Sequence, residues 1–372
     1  MNAQTPAMNL SDVKFDCKYF RTAIPCLPNK QTGVVCPTCN VYEPKGKTIL
    51  IIKLGALGDV IRTTPLIAYY RNLYPQVHFT WLTLSPDVLP KNDIDVILKY
   101  DFTSVYTIER TKFDIAINLD KDPEACMLLA GVSATEKYGY SWGDNQILPA
   151  TPKAEHKLMT GFFDNLSKVN TKSYLTEIFE ICHAEFNYEP YLININRSIA
   201  DSWKEKIAAL TSAPVIGLNT GCGPRWKTRL WSDESWAALA TALKAEGFYP
   251  VFLGGELEHE KNLRLAEETG GTYFGHFSLE EFIALTDACD VIVTQVSMMM
   301  HIATALQKQM VLMNNIFNKH EFELYGRGQI IEPATACTCY FGNTCVRGPE
   351  SCMHDLHPET VLAGVVSCLA RT

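Results

Sequence analysis

The sequence predicts two α/β domains, each built on a largely parallel sheet, with cysteine-rich segments before and after them. Three observations carry this. Apolar β-branched runs alternate with helical periodicity through most of the 372 residues. Two of these runs, at 49–52 and 215–218, end in glycine turns that lead into helices. A single core stops growing near roughly 250–300 residues, so a chain this long divides. The expected division is a cysteine-rich leader over 1–46, a first domain over 47–195, a second over 196–333, and a cysteine-rich tail with a closing helix over 334–372.

The leader carries Cys17, Cys26, Cys36 and Cys39 among Pro25, Pro28, Gly33 and Pro37, which make it loop-like. Cys36 and Cys39 form a CxxC knuckle that can put two thiolates on one metal, and Cys17 and Cys26 can complete a tetrahedral set. A small loop-rich segment without a core needs such a staple; the competing reading is four free thiols.

The first domain opens at 47–66. The run 49–52 reads as a buried strand; Gly55 and Gly58 allow a tight turn, and Asp59 stands where a helix should start. A strand, a glycine turn and a helix N-terminus make an anion or ligand site. The turn is neither GxGxxG nor a P-loop. Further strands are expected over 78–82, 96–98, 104–107, 115–119 and 137–140, and helices over 60–74, 124–129 and 157–169. Asp120, Lys121 and Asp122 follow a strand, at the sheet edge where ligands bind in open α/β folds; a solvated loop is the alternative. An amphipathic helix over 195–210, with Ile199, Trp203, Ile207 and Leu210 on one side, connects the halves.

In the second domain the strand 215–218 leads into a glycine-rich turn over 219–224, followed by Arg225, Lys227 and Arg229 and a helix start at Ser232. Clustered cations beside a glycine turn read as a diphosphate clamp or as a solvated basic loop. Strands over 250–253, 272–274, 291–294 and 310–314 alternate with helices over 257–268 and 279–288. Ser297 can cap the helix that carries Met298 and His301, aiming its first-turn amides at a ligand crevice. A structural histidine is the other reading of His301. The tail holds Cys337, Cys339, Cys345 and Cys352, spaced for a tetrathiolate site of zinc or iron, and Pro358 opens the last helix.

Charge narrows the function. With 33 Lys and Arg against 41 Asp and Glu, the net charge of −8 argues against a nucleic-acid binder. No apolar run approaches the ~20 residues of a membrane span, so membrane contact is at most peripheral. The polar stretch 1–11 has no signal-peptide core, which gives a cytoplasmic expectation. Of 13 cysteines, Cys126, Cys182, Cys222, Cys289 and Cys368 are scattered singly and read as small buried hydrophobes. The two groups of four read as metal sites before disulfides.

Residues 52–65, Ile-Lys-Leu-Gly-Ala-Leu-Gly-Asp-Val-Ile-Arg-Thr-Thr-Pro, with Tyr74-Pro75, resemble the opening of the ADP-heptose:lipopolysaccharide heptosyltransferases, glycosyltransferase family 9. Gly217-Leu-Asn-Thr-Gly, Arg229-Leu-Trp231 and 252–256 resemble that family's second-domain opening, and His301-Ile-Ala-Thr-Ala-Leu its donor-binding helix. The resemblance covers roughly 47–328. It implies a GT-B fold, two Rossmann-like domains facing across a cleft. It further implies inverting transfer of a heptose or related sugar from an ADP-sugar to a hydroxyl acceptor on lipopolysaccharide core, another glycan or a protein, with no cofactor for the chemistry. Asp59 matches the family's proposed catalytic base, with a helix N-cap as its other reading. Thr220, Lys227, Arg229, Glu256, Ser297, Met298 and His301 fall on the donor side; Gly58, Arg62 and Asp120 fall on the acceptor side. Two departures stand out: Val296 and Met298 replace the acidic residue and the glycine usual before the histidine. Neither cysteine group belongs to the ordinary lipopolysaccharide enzymes, and the tail resembles that of iron-bearing heptosyltransferases that glycosylate bacterial autotransporter proteins. A GT-B sugar-nucleotide epimerase and a non-catalytic metal-bearing assembly module are the alternatives.

Overall fold

A computed structural model describes residues 8–348 and 351–371. The first seven residues of the expected leader, two positions in the tail and the last residue lie outside the described residues. Eleven strands are described: β1 (Thr48–Ile52), β2 (His78–Thr83), β3 (Val96–Lys99), β4 (Lys112–Asn118), β5 (Ser133–Gly143), β6 (Gln146–Pro149), β7 (Val215–Asn219), β8 (Tyr249–Leu253), β9 (Val291–Gln295), β10 (Gln309–Met313) and β11 (Gly328–Ile331). They form two sheets, β3-β2-β1-β4-β5-β6 and β11-β10-β9-β7-β8. All neighbours pair in parallel except β5 and β6. That hairpin turns through Asp144 and Asn145, both at positive φ, as a two-residue turn requires. The fold is therefore α/β of the GT-B kind, two Rossmann-like halves.

The central strands are near-continuous apolar runs because helices cover both faces. Ile49 to Ile52 and Val291 to Gln295 are buried throughout. The largest apolar cluster is shared between the halves. It runs from Ile49, Ile51 and Ile61 through Tyr191 of the connecting segment to Met299, Met300 and Ile302. Helix Met298–Ala305 is buried on almost every side and packs directly on helix Leu57–Arg62 of the other domain. The five single cysteines are all buried. Among the described residues no helix is long and apolar enough to cross a membrane.

Several elements differ from expectation. Residues 104–107 are helical, within Phe102–Glu109. Asp101 caps that helix through the Ser104 amide at 2.8 Å, and only Ser104 and Ile108 are buried, a helical spacing. The expected helix over 60–74 is two helices, Leu57–Arg62 and Pro65–Leu73. The Thr63 and Thr64 hydroxyls bond back to the Val60 and Ile61 carbonyls, and Pro65, lacking an N–H, begins the second helix. The helix over 157–169 likewise divides at Phe163. Residues 272–274 make a single bridge to Val251, and the connecting helix is Arg197–Ala208, which leaves Leu210 beyond its end and exposed.

Candidate functional site

In the first sheet the strand order reverses between β1 and β4; in the second it reverses between β7 and β9. Ligands of open α/β sheets lie outside the carboxyl ends of strands at such points. The turn carrying Gly55, Gly58 and Asp59 leaves β1 there. The turn after Asn219 leaves β7, and Ser297 follows β9. Helix Met298–Ala305 brings the two points together.

Asp59 is the third residue of helix Leu57–Arg62, whose N-cap is Ala56, so its carboxylate sits in the first turn and does not cap. Its Oδ1 lies 2.9 Å from Arg62 Nη2. Burial works against the Asp59 charge, but Arg62, Lys53 and His301 outweigh it and hold the carboxyl below its ordinary range. The Arg62 guanidinium rests on the Tyr174 ring, 3.3 Å from its centre. Lys157 Nζ stands 5.1 Å from the same ring and 2.6 Å from the buried Glu177 carboxylate. Lys121 is pushed down from the usual lysine range by burial and then by Lys157. Arg62 and Lys157 thus share the Tyr174 ring, each paired with a carboxylate, Asp59 and Glu177, and Lys121 feels the Lys157 charge. Tyr174 opens a helix, Tyr174–Ile181, absent from the sequence reading; the Ser173 cap on the Thr176 amide was its one local signal.

Beneath the turn, Asp120 is fully engaged. One oxygen pairs with Lys53 Nζ and the other accepts the Leu54 amide, while Lys53 also donates to the Gly55 carbonyl at 2.7 Å. Both partners are buried. Burial opposes the Lys53 charge, and Tyr174, Asp120 and Asp59 more than offset it. The structure places Asp120 as an anchor beneath the turn, with one bond on each oxygen.

Gly58 faces the opposite domain. A Cβ there would stand 2.5 Å from His301 Cδ2 and 3.5 Å from Met298 Cα. His301 is buried, stacks on Tyr191, and is pushed down to about 3 by burial and the Arg62 charge, so it is neutral at physiological pH. Its Nδ1 has no partner among the described residues. Gly58→Ala should therefore wedge the domains apart, at a cost of about 1–3 kcal/mol of overpacking. Thermal melting and turnover both fall if this contact is as tight as the geometry gives; unchanged values would refute it.

On the second domain, Asn219 Nδ2 donates to the Gly221 carbonyl at 2.8 Å and to Thr294 Oγ1 at 3.0 Å, with Ser297 Oγ at 3.4 Å. Ser297 caps its helix through the Met299 amide at 3.3 Å. Thr220 is buried and turned inward: its hydroxyl donates to Asn262 Oδ1 at 2.6 Å and its carbonyl accepts from Lys261 Nζ. Arg229 is also buried. Its guanidinium donates to the carbonyls of Cys222, Trp226 and Val296, which fixes the turn and leaves Lys227 and Arg225 as its exposed cations. Val296, where the resemblance leads one to expect a carboxylate, contributes a backbone acceptor instead. Lys227 lines a cavity of about 370 Å³ with Ser232, Thr344 and His354. Glu256 is exposed; its neighbour Glu258 bonds the Gly255 amide at 3.0 Å and fills the space beside Gly221. Sequence reasoning missed Asn219, Asn262 and Glu258, and only Asn219, at a strand end before glycines, carried a local signal.

All eight clustered cysteines are free thiols. Cys17, Cys26, Cys36 and Cys39 line one cavity of about 190 Å³ in the leader. In the tail, Cys339 Sγ is 3.9 Å from Cys345 Sγ, close to the ~3.8 Å sulfur separation that tetrahedral Zn–S bonds of about 2.3 Å imply. Cys337 is pushed up to about 12 by burial, and the Cys352 thiol beside it adds to the rise. Among the described residues no group of three or more His, Cys, Asp or Glu stands close enough to hold a metal as arranged.

A family model described as glycosyltransferase family 9 (heptosyltransferase) matches residues 105–346. No curated protein matches the chain. Among solved structures, a glycosyltransferase family 9 protein from Veillonella parvula DSM 2008 superposes with a TM-score of 0.65 at 19% identity, covering 88% of this chain and 98% of that one. ADP-heptose LPS heptosyltransferase II of E. coli gives 0.63 at 16% identity, covering 87% and 99%. The iron-containing dodecameric glycosyltransferase TibC from enterotoxigenic E. coli H10407 gives 0.52 at 14% identity, covering 88% and 77%. These likenesses establish the shared fold. With the family model spanning well over half of the sequence, the chain belongs to glycosyltransferase family 9, the heptosyltransferases, and is a glycosyltransferase.

Proposed function

We propose that the enzyme transfers a heptose or related sugar from an ADP-sugar to a hydroxyl acceptor with inversion. The domain over 47–195 receives the acceptor, and the domain over 196–333 receives the nucleotide sugar. The observation that carries this is Asp59: an ionised carboxylate at the switch point of the first sheet, facing the donor-side helix of the second. The acceptor hydroxyl gives its proton to Asp59 as its oxygen bonds to the anomeric carbon. The bond from that carbon to the diphosphate breaks, and its electron pair leaves with ADP. The Ser297 helix start and Lys227 are the groups suited to the growing diphosphate charge, while Arg229 shapes the turn that presents them. The acceptor is a glycan, such as lipopolysaccharide core, or a protein side chain.

A structural metal on Cys337, Cys339, Cys345 and Cys352 is part of the same reading, supported by the all-thiol donor set and the 3.9 Å sulfur edge. It would supply no chemistry to the transfer. The leader set shares one cavity.

A donor screen by mass spectrometry with ADP-heptose, ADP-glucose, UDP- and GDP-sugars tests the assignment. Consumption of an ADP-sugar only in the presence of acceptor is the expected result; turnover without acceptor would make the protein an epimerase. Elemental analysis of the same preparation, with about one zinc or iron per tail cluster expected, tests the metal.

A further inference from the structure

We propose that the cysteine-bearing tail is a clasp holding the donor turn against the acceptor domain, with Tyr340 as its positioning residue. The proposal rests on the reading of the turn after Asn219 as the donor side.

The sequence Cys339-Tyr340-Phe341-Gly342 sets two aromatics side by side between thiols. The Gly342 amide bonds back to the Cys339 carbonyl at 2.6 Å, closing a tight turn, and Phe341 sits at φ 47. A bulky residue adopts that backbone only when its surroundings impose it. The two rings meet edge to face, 4.7 Å between centres and at 88° to each other.

Phe341 goes to the donor side. Its ring packs edge-on against Phe317 at 5.0 Å and Trp226 at 5.6 Å, and its amide donates to the Ile316 carbonyl at 3.2 Å. Trp226 and Phe317 in turn flank the Arg229 guanidinium, the group that ties the donor turn to Val296. Next to them, Thr228 Oγ1 donates to the Gly342 carbonyl at 2.9 Å, and Asn315 Nδ2 donates to the Thr228 carbonyl at 2.9 Å.

Tyr340, still in contact with Phe341, reaches the first domain. Its hydroxyl is 2.7 Å from Ser167 Oγ on helix Asp164–Val169, in the first domain, and Lys168 Nζ stands 5.0 Å from its ring. Asn318 reaches the same helix end, donating to the carbonyls of Ser167 and Asn170 at 2.8 and 2.6 Å. Ser167, Asn170 and Asn318 are all buried. One short loop therefore touches the donor turn with one aromatic and the acceptor domain with the next. Removing the Tyr340 hydroxyl leaves Ser167 Oγ without this partner and loosens the donor turn at its far end, while the Asn318 bonds keep the seam folded.

The test uses the full chain as wild type, Tyr340→Phe, Ser167→Ala and the double variant. The readouts are calorimetric ADP affinity, the kcat and KM of transfer, and hydrogen exchange of the amides over 226–231. The loss of a part-buried hydrogen bond such as this one is expected to be worth roughly 2–12-fold. Each single variant should weaken ADP binding and raise the donor KM by that factor, with kcat less affected. Exchange over 226–231 should quicken, and the double variant should be no worse than the stronger single one. Wild-type ADP affinity and exchange in Tyr340→Phe, or effects that add in the double variant, would overturn the clasp. If wild type binds no ADP, the donor reading fails by itself, and exchange over 226–231 still decides the clasp.

Discussion

Asp59→Asn should lower kcat by about 10²–10⁴-fold, the contribution of a positioned general base. Asparagine keeps the shape of the side chain and its place in the first helical turn, but it cannot take the acceptor proton. The fold should persist, because Arg62 still lies on the Tyr174 ring. Turnover above a tenth of wild type, measured as sugar transferred per enzyme, would remove Asp59 from the role of base. The pH profile gives a second measurement. The base works when ionised, so activity is lost as pH falls through its pKa, which Arg62, Lys53 and His301 hold below the ordinary value near 3.8. The acid limb of kcat/KM should lie below about pH 4. In Arg62→Met the largest lowering influence is gone, burial is less opposed, and the limb should move upward. A limb at the same pH in both proteins would show that Arg62 does not set the ionisation of the base.

What could be read from the sequence was whatever depends on local order. The strand–glycine–helix units at 47–66 and 215–232, the Ser297 cap and the final helix behind Pro358 are all set by neighbours within a few residues. Their grouping into two largely parallel α/β domains followed from alternation, and the Rossmann-like GT-B arrangement from the family resemblance. The differences between sequence and structure share one cause. Residues 104–107 have the β-branched and aromatic composition of a strand, but the Asp101 cap made them a helix. For Arg229 and Asp120 a sequence shows the charge and not the intramolecular partners it meets. In the folded chain Arg229 meets three carbonyls, and Asp120 meets Lys53 across 67 residues. Gly58 is legible as a turn residue, yet its closest neighbour is His301, on a helix of the other domain. The aromatic pair Tyr340 and Phe341 carried no signal, since its meaning lies in Ser167 and Trp226, both far away in sequence.

Asp120→Ala should cost about 3–5 kcal/mol, the penalty for leaving one member of a buried ion pair uncompensated. Lys53 has no other carboxylate within ion-pairing distance among the described residues, and its remaining bond is to the Gly55 carbonyl. The Leu54 amide would lose its acceptor as well. The turn that mounts Asp59 would then lose its support from below, so melting temperature and transfer should fall together. Removing both charges separates support from chemistry. Lys53→Met combined with Asp120→Asn keeps an oxygen for the Leu54 amide and leaves no buried charge. Replacing both members of a buried pair is often nearly neutral, whereas removing one is not. The double variant should therefore recover most of the stability lost in Asp120→Ala. If transfer recovers with it, the pair acts only by holding the turn. If stability recovers while transfer stays low, the Lys53 charge is itself needed beside Asp59, which is consistent with its part in lowering the Asp59 pKa. Stability in Asp120→Ala equal to wild type would contradict the anchoring role outright.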